Sequence, residues 1–350
     1  MRALVTGSHG LIGRALATAM TEAGDEVVAL VRSPVPPAGS GLSAPPGGAA
    51  PGGAAPGSAA PVGTAPGGTA PGGVAPGDGP FPRQPPAGVR WDPAAGTVDQ
   101  AALEAAGPFD AVVHLAGAGI GDRRWTPRRR REIRDSRVLA TRLLVGALRR
   151  LTPRPATLVS GSAVGYYGDR GAEVLDEDSA PGTGFLAEVC RDWEREATLI
   201  GEGVRVVLLR SGVVLSARGG ALARQLPIFR AGFGGPLGDG RQYIPWITLS
   251  DEVSVIRRAI GDDRLAGPLN STAPRPVTNA ELAAAIGRAL HRPAVLRVPR
   301  AALEVALGAG LAREALLASQ RAVPARLLAA GYVFAHPDAD TALAAVLGGA

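Results

Sequence analysis

An apolar run, Ala3-Leu4-Val5, passes through Thr6 into Gly7, Ser8, Gly10 and Gly13, and no other feature narrows the available folds so far. The three glycines have the spacing of a strand-to-helix turn with no side chain at the first position, room for a close ligand at the second, and a helix lying against the strand at the third. A helix is predicted from Leu11 to Ala23, with Leu11, Leu16, Ala19, Met20 and Ala23 on one face, and a second strand from Glu26 to Val31 beyond Gly24. Such a helix start presents unpaired backbone N–H groups and the positive end of its dipole to an anion. The expected occupant is the pyrophosphate of a dinucleotide, cradled by Thr6, Gly7, Ser8, Gly10, Leu11, Ile12 and Gly13.

An acidic residue at the end of the second strand would hold the adenosine ribose hydroxyls of NAD. The strand here ends in Val31-Arg32 instead. A guanidinium matches a phosphate with two parallel hydrogen bonds, so Arg32, helped by Arg14, points to the 2′-phosphate of NADP(H) in preference to NAD(H). The alternative is that Arg32 is a solvated residue at a strand end.

From Pro34 to Gly88 the composition turns to Pro, Gly and Ala, with Asp78 and Arg83 the only charges. Pro46, Pro51, Pro56, Pro61, Pro66, Pro71 and Pro76 recur every fifth residue. This tract offers nothing to build a core and is expected to be disordered, a loop insertion ahead of a third strand at Val89-Arg90-Trp91. Outside it, about 295 residues remain, enough for one large α/β domain with a smaller annex. No stretch is long and apolar enough for a membrane span, and the first strand begins too soon for a cleavable leader. With Cys190 the only cysteine, the chain reads as cytoplasmic. Cys190 itself is expected to be a buried small side chain.

The net charge of +6 comes from one segment, residues 121–150, with eleven arginines against three acidic residues. Thr126 and Pro127 suit the N-cap and first position of a helix there. With no interleaved aromatics and no reading motif, a solvated helix face is favoured over a nucleic-acid surface. Further strands are expected near residues 109–118, 156–162 and 205–216. Strands alternating with helices imply a doubly wound parallel sheet of the Rossmann type, binding ligands at the strands' carboxyl ends. Leu115, Ala116, Gly117 and Ser162 fall at such ends; His114, inside its strand, is taken as structural.

The segments TGSHGLIG, HLAGAGI, RDSRVLATRLL, SGSAVGYYGD, RVVLLRSGVVLS, GGPLGDGRQYIPWI and QRAVPARLLAAGYVF together resemble the epimerase-family branch of the extended short-chain dehydrogenase/reductase superfamily. The resemblance covers essentially everything outside residues 34–88. It implies an NADP-binding Rossmann domain (1–33 and 89–240) and a smaller C-terminal substrate domain (241–350), with strands exchanged between them allowed. The implied function is an NADP(H)-dependent oxidoreductase or epimerase-like enzyme acting on a small molecule, with a nucleotide-sugar-like compound among the candidates. A homodimer is compatible with it; no metal is called for.

In the superfamily a Ser or Thr at the position of Ser162 polarises the substrate oxygen. The usual Tyr followed four residues later by Lys is missing: Phe185 and Val189 stand there, and the chain has no lysine. A phenol titrates near 10 without a neighbouring ammonium, so another arrangement is needed. Tyr166 and Tyr167 are candidate proton donors, and Arg137 could supply positive charge. Arg241, Gln242 and Trp246 are candidates for a substrate wall. The competing readings are a non-catalytic NADP(H)-binding sensor and, less favoured, a nucleic-acid binder.

Overall fold

The computed structural model describes residues 1–32 and 88–348. The expectation of disorder for the Pro/Gly tract therefore falls, Gly88 apart, outside the described residues. Gly88 itself opens the third strand.

An eight-stranded sheet organises the molecule, in the order β12-β8-β6-β5-β1-β2-β3-β4. Its strands are β1 (Arg2–Thr6), β2 (Glu26–Val31), β3 (Gly88–Asp92), β4 (Thr97–Val98), β5 (Ala111–His114), β6 (Thr157–Ala163), β8 (Arg205–Ser211) and β12 (Gly267–Ser271). All pairings are parallel except the β3–β4 hairpin. The chain winds outward from β1 first through β2 and β3, then through β5, β6 and β8, so the switch point lies between β1 and β5. Ligand crevices form there, beyond the carboxyl ends of the strands.

Three two-stranded sheets decorate it: β7 (Val174–Leu175) with β14 (Arg321–Ala322), β9 (Val213–Leu215) with β11 (Trp246–Thr248), and β10 (Tyr243–Ile244) with β13 (Val277–Thr278). The helices are α1 (Leu11–Glu22), α2 (Gln100–Ala106), α3 (Pro127–Leu148), α4 (Phe185–Thr198), α5 (Gly220–Arg230) and α6 (Leu249–Gly261). They continue with α7 (Asn279–Leu290), α8 (Arg300–Leu307), α9 (Ala309–Leu311), α10 (Ala325–Ala329) and α11 (Ala339–Gly348).

Alternation along each strand sends side chains to two cores. Ala3, Val5, Val113, Val159 and Val207 meet Leu16 and Met20 of α1 and Val253, Ile256 and Ile260 of α6. Leu4, Val28, Leu30, Val112 and Leu158 meet Leu144, Val145 and Leu148 of α3 on the other face. Each fully buried Leu, Ile or Val contributes about 2 kcal/mol of hydrophobic stabilisation, so both layers hold the strand ends in place. A third core joins Leu226 and Phe229 of α5, Trp246, Ile286 of α7 and Leu343 of α11.

One expectation needs correction. The strand predicted over 205–216 breaks at Gly212, where an added Cβ would lie 2.7 Å from the Pro245 carbonyl oxygen, and its second half leaves to pair with β11. Beyond residue 241 the chain also contributes to the large body. The α6 helix packs in the α1 core and β12 is the edge strand of the main sheet, so the later segment returns to the large body before α7. The arginine-rich helix forms as expected, with the Thr126 hydroxyl accepting from the Arg129 N–H. Several of its arginines are committed: Arg129 to Asp122 and Glu132, Arg134 to Asp192, Arg142 to Glu196. Among the described residues no helix is long and apolar enough to cross a membrane.

Candidate active site

Gly7 holds the turn after β1 at φ +72°, and a Cβ there would lie 2.7 Å from the carbonyl of Leu115, so the β1 and β5 loops abut. A Cβ on Gly13 would stand 2.2 Å from the Gly7 carbonyl oxygen, which is why the helix can close over the turn. The Gly10 N–H donates to the Gly7 carbonyl at 2.8 Å, and Gly10 caps α1 with no side-chain acceptor. No acidic residue occupies the helix's first turn, so its free N–H groups face the crevice without competition. The cradle therefore has the shape and polarity that a pyrophosphate requires. Leu11 and Ile12 are half-buried over this turn, Ser8 is buried within it, and Arg32 is exposed at the end of β2.

Thr6 serves the cradle indirectly. Its fully buried hydroxyl accepts from the Ala116 N–H at 3.2 Å and lies 2.6 Å from His114 Nδ1, while His114 Nε2 lies 2.9 Å from the Thr141 hydroxyl. Thr141 gives its own proton to the Arg137 carbonyl, so the network assigns the hydrogen to His114 Nε2 and leaves Nδ1 to accept from Thr6. Burial pushes the His114 pKa down to about 3, which keeps the ring neutral. This chain fixes the loop Leu115-Ala116-Gly117 at the switch point. Gly117 is exposed, and the guanidinium carbon of the half-buried Arg137 sits 3.2 Å from where a Cβ of Gly117 would be.

At the end of β6 the hydroxyl of the buried Ser162 donates to Glu194 Oε1 at 2.6 Å. Glu194 is gripped by Arg210 through two hydrogen bonds of 2.9 Å. Arg210 also donates to the Tyr167 hydroxyl, which in turn donates to Asn270 Oδ1 at 2.7 Å and meets the Asp176 carbonyl at 2.8 Å. Tyr167 is thus no candidate proton donor: it is fully buried, its hydroxyl is used, and burial pushes its pKa up to about 12. Tyr166 is half-buried and lays its ring 3.5 Å from the Arg210 guanidinium, a cation–π contact. Cys190 is buried as expected, its thiol pushed up to about 12 by burial.

Phe185, where the superfamily's tyrosine would stand, packs edge-on against Trp125 at 5.3 Å and lies under Arg130. Val189 is buried. Glu314, from the segment after α9, caps α4 by accepting from the Leu186 N–H at 2.9 Å. Two expected substrate-wall residues turn inward. Trp246 is fully buried with its indole N–H bonded to the Arg275 carbonyl, and Gln242 spends its amide hydrogens on the Leu237 and Leu316 carbonyls. Both hold the loop together and cannot meet a ligand; Arg241 alone of the three is exposed.

Sequence reasoning missed Glu194, Arg210 and Asn270. One signal was present: Arg210 interrupts the apolar strand Val206-Val207-Leu208-Leu209, and a buried arginine demands a carboxylate.

Fold and cradle define a Rossmann-type, NAD(P)-binding α/β protein. The description "NAD dependent epimerase/dehydratase family" matches residues 81–268, and "Domain of unknown function (DUF1731)" matches residues 298–346. The epimerase family protein SDR39U1 of Mus musculus is 38% identical over 261 residues, spanning 73% of this chain and 88% of that protein. An epimerase family protein of Mycobacterium leprae is 44% identical over 257 residues, 73% of this chain and 81% of that protein. The crystal structure of human SDR39U1 with NADPH superimposes with a TM-score of 0.79 at 31% identity, covering 99% of both chains. This chain belongs to the NAD dependent epimerase/dehydratase family.

Proposed function

We propose that this protein is an NADP(H)-dependent oxidoreductase or epimerase-like enzyme acting on a small molecule. The observation that carries the reading is the cradle, closed by Gly13 on Gly7 and followed by an exposed Arg32 where an acidic residue would select NAD. The NADPH held by human SDR39U1, a protein of the same fold, supports it. Gly7, Ser8, Gly10 and the N–H groups of Leu11, Ile12 and Gly13 would hold the pyrophosphate, Arg32 the 2′-phosphate, and Leu115, Ala116 and Gly117 the path toward β6. The bound cofactor would supply hydride chemistry at its nicotinamide.

Ser162 then has a different part from the one its position implies. Its proton already goes to Glu194, so in this arrangement the oxygen offers lone pairs, and it receives a hydrogen bond from a substrate hydroxyl instead of donating one to a carbonyl. Of the two tyrosines, Tyr166 is the one left as the candidate to exchange a proton, since its neighbour is sealed. A second reading, a cofactor-binding sensor without turnover, is favoured by that commitment of Ser162 and by Phe185 and Val189.

Calorimetric titration tests the cofactor assignment. NADPH should bind at least tenfold more tightly than NADH, and Arg32→Asp should erase the difference; equal affinities in the unaltered protein would overturn it. Single-turnover oxidation of bound NADPH by a metabolite mixture separates enzyme from sensor.

A further inference from the structure

We infer that Arg137 is an anion-binding group for the substrate, and that the substrate therefore carries a carboxylate or a phosphate. The inference rests on the cofactor reading above and narrows it to a substrate class.

Arg137 reaches from α3 across the carboxyl end of β5. Its Nη1 donates to the Ala118 carbonyl at 2.9 Å and the Ile133 carbonyl at 3.1 Å, and its guanidinium lies 5.2 Å from the Trp193 ring centroid. Among the described residues no carboxylate pairs with it. Its neighbours differ in this respect: Arg129 has Asp122 and Glu132, Arg134 has Asp192, Arg210 has Glu194. Burial holds the Arg137 pKa below the ordinary arginine value, and the charge of Arg129 acts in the same direction. A partly desolvated cation held by two carbonyls and an aromatic face, with no counter-charge, is costly, and an incoming anion would reduce that cost. Gly117, itself exposed, lies against the guanidinium, where a Cβ would stand 3.2 Å from its central carbon, so no side chain from that position covers it.

The source of the anion follows from the topology. With Arg32 on the β2 side taking the adenosine 2′-phosphate, the dinucleotide crosses the switch point at Gly7 and its nicotinamide half lies on the β5–β6 side, where Arg137 and Ser162 stand. The cofactor's phosphates are then at the start of α1 and at Arg32. None remains for Arg137, so the anion belongs to the substrate.

The test uses the full-length protein saturated with NADP⁺, titrated in a calorimeter with malonate and with inorganic phosphate. Whichever probe shares the substrate's chemistry should bind with a millimolar dissociation constant. Arg137→Met should weaken that binding at least tenfold, and Arg137→Lys should keep part of it, because a point charge replaces a planar fork. Arg137→Gln, which retains donors for the two carbonyls, guards against loss of binding through misfolding, with melting temperature and NADPH affinity as its controls. Equal probe binding in wild type and Arg137→Gln would mean an adventitious ion only and would overturn the site. So would a wild-type protein that binds NADPH and neither probe. Probe binding that depends on Arg137 in a protein unable to bind NADPH would keep the anion site and remove the cofactor reading.

Discussion

The hydroxyl of Ser162 gives its proton to Glu194 across 2.6 Å, and the same carboxylate is clamped by Arg210, which is itself buried. A side chain expected to face a substrate is thus built into an ion pair that ties the end of β6 to α4 and β8. Ser162→Ala removes one hydrogen bond to a carboxylate but leaves Glu194 and Arg210 paired, so unfolding stability should fall by about 1.5–3 kcal/mol. Glu194→Gln leaves Arg210 buried without its counter-charge and should cost about 3–5 kcal/mol. Urea denaturation of both variants reads the difference; similar losses would mean that the pair is not the element holding this corner. If the protein turns a substrate over, Ser162→Ala removes one accepted hydrogen bond and should lower kcat/KM by roughly tenfold while NADPH affinity stays unchanged.

Gly13→Ala gives a sharper test of the cradle. Alanine in place of glycine inside a helix ordinarily stabilises by about 0.5–1 kcal/mol. Here the new methyl would lie 2.2 Å from the Gly7 carbonyl oxygen, which is backbone and cannot swing aside. The variant should melt lower than wild type and lose NADPH affinity by at least tenfold in a fluorescence titration. A rise in melting temperature with intact NADPH affinity would show that helix and turn are not in contact.

Much of this was legible in the sequence because it is local. Turn chemistry placed Gly7, Gly10 and Gly13, capping chemistry placed Thr126 at the start of α3, and apolar runs placed β1, β2 and β6 to within a residue or two. What depends on distant partners was not legible. Trp246 and Gln242 look like binding residues on a glycine-rich loop until α7 and the segment after α9 cover them. Nothing between Ser162 and Glu194 in the chain announces that they meet, because the contact is made by the crossover of α4 beneath β6.

Removing the Pro/Gly tract should be harmless. Ala29 pairs with Gly88 and Val31 with Arg90, so Gly88 begins beside the middle of β2. A chain leaving Arg32 needs to retrace only about three residue positions, roughly 10 Å, to reach it. Replacing residues 34–87 with a six-residue Gly/Ser loop should leave the melting temperature within about 2 °C and NADPH affinity within twofold, since loop-closure entropy changes slowly with length. A large drop in either would reveal that the tract contributes to the folded body or to the cofactor site.

The last expectation concerns pH. Glu252 of α6 is completely buried, and its two oxygens accept from the hydroxyls of Ser211 and Ser271, at the ends of β8 and β12, at 2.6 and 2.5 Å. No cation pairs with it among the described residues, and the titratable group that feels its charge is the phenol of Tyr332. Burial therefore dominates over the two hydrogen bonds and raises its pKa from the ordinary 4.5 to about 7. The folded pKa exceeds the unfolded one, so the folded state holds the proton more tightly. This group's contribution is fully present below pH 4.5, is lost progressively as pH rises toward 7, and is constant above that, a change on the order of 3 kcal/mol. His114 works in the opposite sense: with a folded pKa of about 3 against an ordinary 6.5, it costs stability as pH falls through that range. Wild type alone would therefore show a flattened profile between pH 4.5 and 6.5. Subtracting wild-type stability from that of Glu252→Gln cancels His114 and isolates the carboxyl. The difference should rise in favour of the variant as pH goes from 4.5 to 7.5 and level off thereafter, read by urea denaturation at half-unit steps. A difference independent of pH across that window would mean that Glu252 is ionised in the folded protein throughout.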